Sequence, residues 1–326
     1  MMDIFFYEAF EEETEKLKKY LPGDIKCGFS WKTIQEENQV NPPSRLISIR
    51  TQSEIPVKWS SKLDAILTRS TGYDHILRFH SRSSSNVNYG YLPLYCNRAV
   101  AEQAMLLWMS LLRKLKVQVS HFRKFNRDGI TGQECQGRIL TVFGVGNIGS
   151  EAVKIGQGLG MTVLGVDPVE KHSFVKYVNP DTGLEKADIL LCSMNLKPGN
   201  YGFFNYERLK KAKKGVIFIN IARGEMSPSA DLLQLLKEGH LGGLGMDVYN
   251  HEAELGVSLR SASLSDNPEI RAVLEMSAMD NVIMTPHNAF NTSEAVERKS
   301  LQSIQQIDHF LKNNSFLWPV PLEEYF

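Results

Sequence analysis

Residues 139–149 read ILTVFGVGNIG, an apolar run that passes directly into the glycine pattern GxGxxG. The run Ile139–Phe143 predicts a buried strand, and the residues after the glycines have the composition of a helix. Glycine at Gly144, Gly146 and Gly149 lets the backbone turn tightly, approach a pyrophosphate and pack helix against strand. The free N–H groups and the dipole at a helix start favour an anion. The stretch therefore predicts a phosphate-binding loop.

The next apolar run, Thr162–Val166, ends at Asp167. An acid about 20 residues beyond the last glycine is typical of dinucleotide sites, where it binds the adenosine ribose. A carboxylate repels a 2′-phosphate, and no arginine follows Asp167 closely, so the sequence favours NAD over NADP. Alternatively, Asp167 is a turn residue before Pro168. A glycine pattern alone is a weak signal, but strand, glycines, helix and acid in this order favour nucleotide binding.

Similar apolar runs continue along the chain, and helical segments fit between most of them. Six strands with intervening helices predict a doubly wound, Rossmann-type parallel sheet. The predicted strands are Ile139–Phe143, Thr162–Val166, Ile189–Leu191, Val216–Ile219, Gly243–Met246 and Val282–Met284.

The first hundred residues have shorter runs, which predict a small parallel sheet of its own. Its predicted strands are Ile4–Tyr7, Leu46–Ile49 and Ala65–Thr68. Phe10–Leu21 alternates charged and apolar residues and predicts an amphipathic surface helix. The polar, serine-rich segment His80–Gly90 predicts a loop. Further helices are predicted at Ala99–Lys116, leading into the second domain, and at Ser293–Lys312.

The composition excludes several classes of protein. The chain has 326 residues, which suggests two domains, and 37 basic residues balance 37 acidic ones. A strongly basic nucleic-acid binder is therefore not expected, and no apolar stretch approaches the roughly 20 residues of a membrane-spanning helix. The four cysteines are scattered, at Cys27, Cys96, Cys135 and Cys192. Free thiols indicate a reducing compartment, by default the cytoplasm, and no metal site is predicted.

Three side chains follow late strands and carry complementary chemistry. Arg223 can hold a carboxylate through two parallel hydrogen bonds, and His287 is suited to proton transfer near neutrality. Glu252 can orient such a histidine. Alone, each has a simpler interpretation: an exposed loop arginine, a solvated carboxylate and a surface histidine. Together they are what redox chemistry on a 2-hydroxy or 2-oxo acid needs beside a nicotinamide.

These residues lie in motifs through which the chain resembles the D-isomer-specific 2-hydroxyacid dehydrogenases over nearly its whole length. The motifs, besides the glycine pattern with Asp167, are Arg69-Ser-Thr-Gly-Tyr-Asp74, Ala99-Val-Ala-Glu102, Asn220-Ile-Ala-Arg-Gly224, Asp247-Val-Tyr249 and Thr285-Pro-His287. The resemblance implies a Rossmann-type NAD-binding domain over residues 99–291. It is inserted in a smaller, flavodoxin-like α/β substrate-binding domain formed by residues 1–98 and 292–326.

The resemblance also implies roles for residues. Arg223 binds the substrate carboxylate, His287 is the acid/base, Glu252 favours its protonated form, and backbone N–H groups at Thr71 and Gly72 help hold the carboxylate. The implied contacts with NAD are Val100, Gly144, Gly146, Asn147, Ile148, Gly149, Asp167, Met194, Asn195, Asn200, Ala222 and Asp247. The implied assembly is a homodimer through the nucleotide-binding domains, and no nucleic-acid or membrane partner is expected.

Within the family the chain is most similar to the D-lactate dehydrogenase branch, where Tyr95 and Phe290 match pocket aromatics. The implied reaction interconverts a 2-oxo acid, pyruvate or a somewhat larger analogue, and the D-2-hydroxy acid. Departures at Gln103, Asn195 and Asn288 leave the catalytic groups in place but alter their surroundings. They leave the identity of the substrate open.

Two alternatives remain at this point. Formate or phosphite oxidation uses a similar scaffold, but the formate branch carries glutamine where Glu252 stands. A catalytically weak, nucleotide-sensing interaction protein is the other, because a fold does not guarantee an activity.

Overall fold

The structure is a computed structural model that describes residues 2–83, 86–261 and 265–324. It divides into two compact units, one formed by Met1–Cys96 with Asn291–Phe326 and the other by Asn97–Phe290. The sequence placed the corresponding domain boundaries at 98/99 and 291/292.

The described residues form the following elements. The strands are β1 Ile4–Phe6, β2 Cys27–Phe29, β3 Leu46–Ile49, β4 Ala65–Thr68, β5 Asn88–Gly90, β6 Ile139–Phe143, β7 Thr162–Val166, β8 Lys176–Tyr177, β9 Ile189–Cys192, β10 Val216–Asn220, β11 Leu241–Met246 and β12 Val282–Met284. The helices are α1 Glu11–Tyr20, α2 Ile34–Glu37, α3 Asp74–Arg82, α4 Asn97–Leu112, α5 Leu115–Phe122, α6 Asn147–Gly158, α7 Pro180–Lys186, α8 Tyr206–Leu209, α9 Ser229–Lys237, α10 Glu252–Ser261, α11 Pro268–Ser277 and α12 Ser293–Asn313.

The first unit contains a five-stranded sheet in the order β2-β1-β3-β4-β5, with every neighbouring pair parallel. This is the flavodoxin-like order, which confirms the predicted fold class. The predicted loop His80–Gly90 is wrong at both ends, because α3 extends to Arg82 and β5 begins at Asn88. The polar composition of this segment gave no signal for the short strand β5 at the sheet edge.

Helix α1 is not purely a surface helix, because Glu13 and Leu17 are both buried. Arg69 Nε donates to Glu13 Oε1 at 2.8 Å, and Lys299 Nζ lies 3.1 Å from the same oxygen. All three side chains are at most 4% exposed. A buried ionic cluster therefore ties α1 to the end of β4 and to α12.

The Glu13 carboxylate should make folding stability depend on acid pH. Burial alone raises the pKa of Glu13, but the attraction of Arg69, Lys299 and Arg50 outweighs it and lowers the pKa from 4.5 to about 2. Its contribution is present above pH 4.5 and is lost as the pH falls toward 2. Between pH 4.5 and 2, the free energy of unfolding measured in urea should fall by on the order of 2 kcal/mol more in the wild-type protein than in Glu13→Gln. If the free energy of unfolding depended on pH in the same way in both proteins, the stabilising role of the Glu13 carboxylate would be contradicted.

The second unit contains a seven-stranded parallel sheet in the order β12-β11-β10-β9-β6-β7-β8. Counted from β6, the strands follow the Rossmann order 3-2-1-4-5-6 with one further strand beyond the sixth. The predicted Rossmann-type sheet is thus confirmed; the further strand is β12, and β8, the third strand of this order, was not among the predicted strands. Its core includes Phe143, Leu190 and Phe218, each fully buried.

The predicted helix Ala99–Lys116 is divided in two. Helix α4 ends at Leu112, and Lys114 adopts a left-handed conformation with φ of 54° before α5 begins. Ala104, Leu107 and Trp108 are buried against the unit, whereas Leu106 is exposed. The apolar stretch in α4 is therefore mostly core.

Among the helices of the described residues, none has both the length and the apolar composition needed to span a membrane.

Candidate functional site

The predicted phosphate loop lies between β6 and α6, and its glycines are required by close packing. Gly144 has φ of +88°, and a Cβ there would lie 2.7 Å from the Met194 backbone. A Cβ on Gly149 would lie 2.0 Å from the Gly144 carbonyl oxygen. These contacts exclude larger residues and fix the shape of the loop.

Gly146 is the N-cap of α6, and no side chain caps this helix start. A Cβ on Gly146 would project into open space. The start of α6 therefore offers backbone N–H groups to an anion, in the field of the helix dipole. An uncapped helix start beside open space fits the pyrophosphate of a dinucleotide.

Asp167 follows β7 and lies beside this loop. Its Oδ2 accepts the Val145 N–H at 2.8 Å, and its Oδ1 accepts the Val169 N–H at 2.9 Å. Each carboxylate oxygen keeps a lone pair for a ribose hydroxyl. The loop and the acid together fit NAD.

The other predicted cofactor residues mostly follow neighbouring strands of the same sheet. Met194, Asn195 and Asn200 follow β9, and Ala222 follows β10. Asn200 Nδ2 donates to the Asn195 carbonyl, and its Oδ1 accepts the Lys197 N–H, both at 2.8 Å. Asn200 thus shapes the loop after β9. Val100 is buried in α4 and lies outside the strand ends.

Arg223 lies in a loop that Asn220 organises. The Asn220 side chain is fully buried, donates to the Arg223 carbonyl and accepts the Ala222 N–H. Arg223 itself is partly exposed, and its Nη1 donates to the Ala222 carbonyl at 2.8 Å. A guanidinium anchored in this way at the end of a strand can bind a carboxylate.

Gly224 brings the Arg223 loop against the segment that precedes Glu252. A Cβ on Gly224 would lie 2.0 Å from the Tyr249 carbonyl carbon. Any larger residue would push the two loops apart. The backbone after β10 and the backbone after β11 are therefore in direct contact.

Glu252 and His287 are hydrogen-bonded to each other at the end of this sheet. Glu252 Oε2 lies 2.8 Å from His287 Nδ1, and Glu252 Oε1 accepts the Tyr249 N–H at 3.1 Å. The two side chains are 27% and 30% exposed. With Nδ1 paired, Nε2 is the nitrogen that can exchange a proton with a ligand.

His287 is held in an unusual backbone conformation. Its φ of 51° lies in the left-handed region, and its N–H donates to the Thr285 carbonyl at 2.9 Å. A non-glycine residue in this region costs on the order of 1 kcal/mol and persists only where surrounding contacts impose it. The tight turn after β12 therefore aims the imidazole at Glu252.

Asp247 makes many of the contacts that impose this conformation on His287. The sequence did not predict this role. Asp247 was expected among the NAD contacts, but it is 1% exposed and its carboxylate holds the His287 turn. Its Oδ1 accepts the Asn288 N–H at 2.9 Å, and its Oδ2 accepts the Ala289 N–H at 2.8 Å. Thr285 Oγ1 also donates to Asp247, and Gln103 Nε2 donates to Thr285 Oγ1 at 3.4 Å.

The predicted substrate residues fall in both units. Phe290 lies in the second, with its ring centroid 6.5 Å from that of His287 at an interplanar angle of 74°. Thr71, Gly72 and Tyr95 belong to the first. There, Thr71 Oγ1 donates to the Leu92 carbonyl at 3.0 Å, and Tyr95 is buried.

Comparison with known proteins identifies the family. Residues 104–289 match the family described as D-isomer specific 2-hydroxyacid dehydrogenase, NAD binding domain. The D-lactate dehydrogenase of Escherichia coli is 31% identical over 230 residues, or 69% of each chain. An aromatic 2-oxoacid reductase of Clostridium sporogenes is 28% identical over 251 residues, or 75% of each chain.

A solved structure gives the same result over the whole chain. The D-lactate dehydrogenase from Aquifex aeolicus complexed with NAD and lactic acid has a TM-score of 0.85 at 26% identity. The match covers 97% of this chain and 99% of that one. The predicted family and the similarity to its D-lactate dehydrogenase branch are confirmed. The chain belongs to the D-isomer specific 2-hydroxyacid dehydrogenases and is an NAD-dependent oxidoreductase of that family.

Proposed function

We propose that this enzyme interconverts a 2-oxo acid, pyruvate or a somewhat larger analogue, and the corresponding D-2-hydroxy acid. The observation that carries the proposal is the 2.8 Å pair between Glu252 and His287, at the carboxyl edge of a sheet whose glycine loop fits NAD. Bound NAD supplies the hydride acceptor or donor. The protein must then bind a carboxylate and move one proton.

Arg223 performs the first task in this proposal. Its planar guanidinium binds the substrate carboxylate and polarises the carbonyl beside it. Backbone N–H groups at Thr71 and Gly72 add donors to the carboxylate. Tyr95 and Phe290 line the space around the substituent on C2.

His287 performs the second task. In the direction of reduction, Nε2 gives its proton to the substrate oxygen, and in the direction of oxidation it takes that proton back. Glu252 accepts the hydrogen bond from Nδ1, which fixes the ring orientation and stabilises the imidazolium. Asp247 keeps the turn that carries His287 in place.

The experiment is an NADH oxidation assay with purified protein and a panel of 2-oxo acids. We expect turnover with at least one of them at neutral pH. The proposal fails if the protein binds NADH yet turns over none of the panel between mildly acid and mildly alkaline pH.

Glu252→Gln tests the proposed partnership with His287. The amide can still accept from Nδ1, but it lacks the charge that stabilises the imidazolium. We expect the rate of reduction at pH 7.5 to fall by about 10- to 100-fold. The pH above which reduction declines should move to lower values. Oxidation, which starts from the neutral ring, should change less. An unshifted pH profile in both directions would show that the pair is only structural.

We also propose that the enzyme is a cytoplasmic homodimer. Four free cysteines are consistent with a reducing compartment. Helix α5 has no buried residue, and Val119, Phe122 and Phe125 are 65–76% exposed. Together with Leu106 and Leu115 they form an apolar face of the nucleotide-binding unit that a second copy would cover. Sedimentation velocity should give a dimer, and Phe122→Glu should give a monomer.

A further inference from the structure

Tyr249 follows β11 and is buried in the core of the second unit, with 8% of its surface exposed. A buried tyrosine normally needs a partner for its hydroxyl. Here the backbone and the phenol of Tyr249 both contact segments that carry residues of the proposed site. All of these segments belong to Asn97–Phe290, so the contacts lie within one unit.

The backbone N–H of Tyr249 holds Glu252. It donates to Glu252 Oε1 at 3.1 Å, while Oε2 of the same carboxylate lies 2.8 Å from His287 Nδ1. One oxygen is thus anchored to the main chain, and the other faces the imidazole. Because the anchored carboxylate has fewer orientations available, the Tyr249 N–H sets the direction from which Glu252 meets the ring.

The phenol of Tyr249 holds the turn that carries His287. Its O–H donates to the Thr285 carbonyl at 2.8 Å, and the Met246 carbonyl oxygen lies 3.2 Å away. The Thr285 carbonyl also accepts the His287 N–H at 2.9 Å. Two donors on one oxygen restrict the orientation of this peptide group. The phenol is therefore one of the contacts that impose the left-handed φ of 51° on His287.

The phenol stays protonated at neutral pH. Burial raises the pKa of Tyr249, and the negative charges of Asp247 and Glu252 raise it further. The Thr285 carbonyl thus receives its hydrogen bond from Tyr249 at every pH near neutrality. Because the hydroxyl already donates to backbone oxygens, its role is to hold the turn rather than to transfer a proton.

Tyr249 also touches the loop that carries Arg223. A Cβ on Gly224 would lie 2.0 Å from the Tyr249 carbonyl carbon and 2.1 Å from the Asn250 nitrogen. The two loops are packed backbone against backbone at this point. A displacement of Tyr249 would therefore disturb the Arg223 loop as well as Glu252 and His287.

We propose that Tyr249 is a positioning residue for the reaction, which aligns Glu252 with His287 through its backbone N–H and its phenol O–H. This inference rests on the proposed function and adds a residue to its site. The role differs from that of Asp247, which holds the N–H groups of residues 288 and 289. Asp247 thus holds the turn after His287, whereas Tyr249 holds it before His287.

The kinetic test is Tyr249→Phe, which removes the hydroxyl and keeps the ring and the backbone N–H. We expect kcat for 2-oxo acid reduction to fall by about tenfold, because a loosely held imidazole is less often aligned. The pH above which reduction declines should move to lower values, and the affinity for NADH should stay within about threefold. Tyr206→Phe, which loses an exposed hydroxyl beside Glu238, is the matched control and should change none of these. An unchanged kcat and pH profile in Tyr249→Phe would overturn the inference.

A double variant separates positioning from a general loss of stability. If Tyr249 acts through the pair of Glu252 and His287, adding Tyr249→Phe to Glu252→Gln should lower kcat by less than about threefold more, because that pair is already weakened. If the two single effects simply multiplied, the tyrosine would act elsewhere, and the inference would be overturned.

A measurement without turnover distinguishes this inference from the proposed function. In full-length protein that contains isotope-labelled histidine, NMR follows the ring nitrogens of His287 against pH, and His287→Gln identifies their signals by their loss. The imidazolium form should persist to higher pH in the wild-type protein than in Tyr249→Phe. That difference would support the positioning role even if no 2-oxo acid were turned over. Identical titrations of His287 in the two proteins would overturn it, whatever the turnover.

Discussion

His287→Gln should lower kcat for 2-oxo acid reduction by at least about a thousandfold, because no other group of the site is assigned to protonate the substrate oxygen. Glutamine is close in size to histidine and can still hydrogen-bond to Glu252. It cannot supply a proton near neutral pH. The affinity for NADH should stay within about threefold of wild type, since the glycine loop and Asp167 lie on other strands.

The measurement combines steady-state kinetics with NADH titration by fluorescence. Because His287 occupies a left-handed backbone position, His287→Asn is a useful second variant, since asparagine tolerates that conformation well. Both variants should be equally inactive. Loss of NADH binding together with activity would mean that the residue has been assigned to the wrong part of the site.

Arg223→Lys should lower kcat/KM by about 10³-fold, even though the charge is kept. Lysine cannot make two parallel hydrogen bonds to a carboxylate, and its flexible ammonium is not held by the Ala222 carbonyl in the way that Arg223 Nη1 is. Both KM and kcat should suffer, because the guanidinium is proposed to bind the carboxylate and to polarise the carbonyl.

A matched control is Arg78→Lys, an exposed arginine of α3 that pairs with Asp74. It should leave both constants unchanged. If Arg223→Lys raised KM alone and left kcat untouched, the guanidinium would be a binding group only, and the polarising role would have to be withdrawn.

Strands made of a continuous apolar run were predictable from the sequence, including β12 at a sheet edge, and short polar edge strands were not. Five predicted strands, including Leu46–Ile49 and Ile139–Phe143, have the same ends in the structure, because a strand covered on both faces is a continuous apolar run. The three missed strands, β2, β5 and β8, all lie at sheet edges. They are two or three residues long and include glycine, asparagine or lysine. Such segments have no distinguishing pattern.

The candidate site was predictable where its residues lie in the segments that follow strands and carry complementary chemistry. Glu252 and His287 were predicted as a pair, and the structure brings them within 2.8 Å. The part played by Asp247 was not predictable, since its partners are backbone N–H groups of a turn about 40 residues further along the chain. The cluster of Glu13, Arg69 and Lys299 was missed for a similar reason. Its members come from both ends of the chain, and no periodic pattern links them.

The configuration of the product tests the proposed catalytic site most directly. Purified enzyme, NADH and a prochiral 2-oxo acid that it turns over are incubated to completion, and the 2-hydroxy acid is resolved by chiral chromatography. Arg223 and His287 fixed at one sheet edge should present a single face of the carbonyl to the hydride, so we expect the D-hydroxy acid alone. An L-product or a racemate would contradict it.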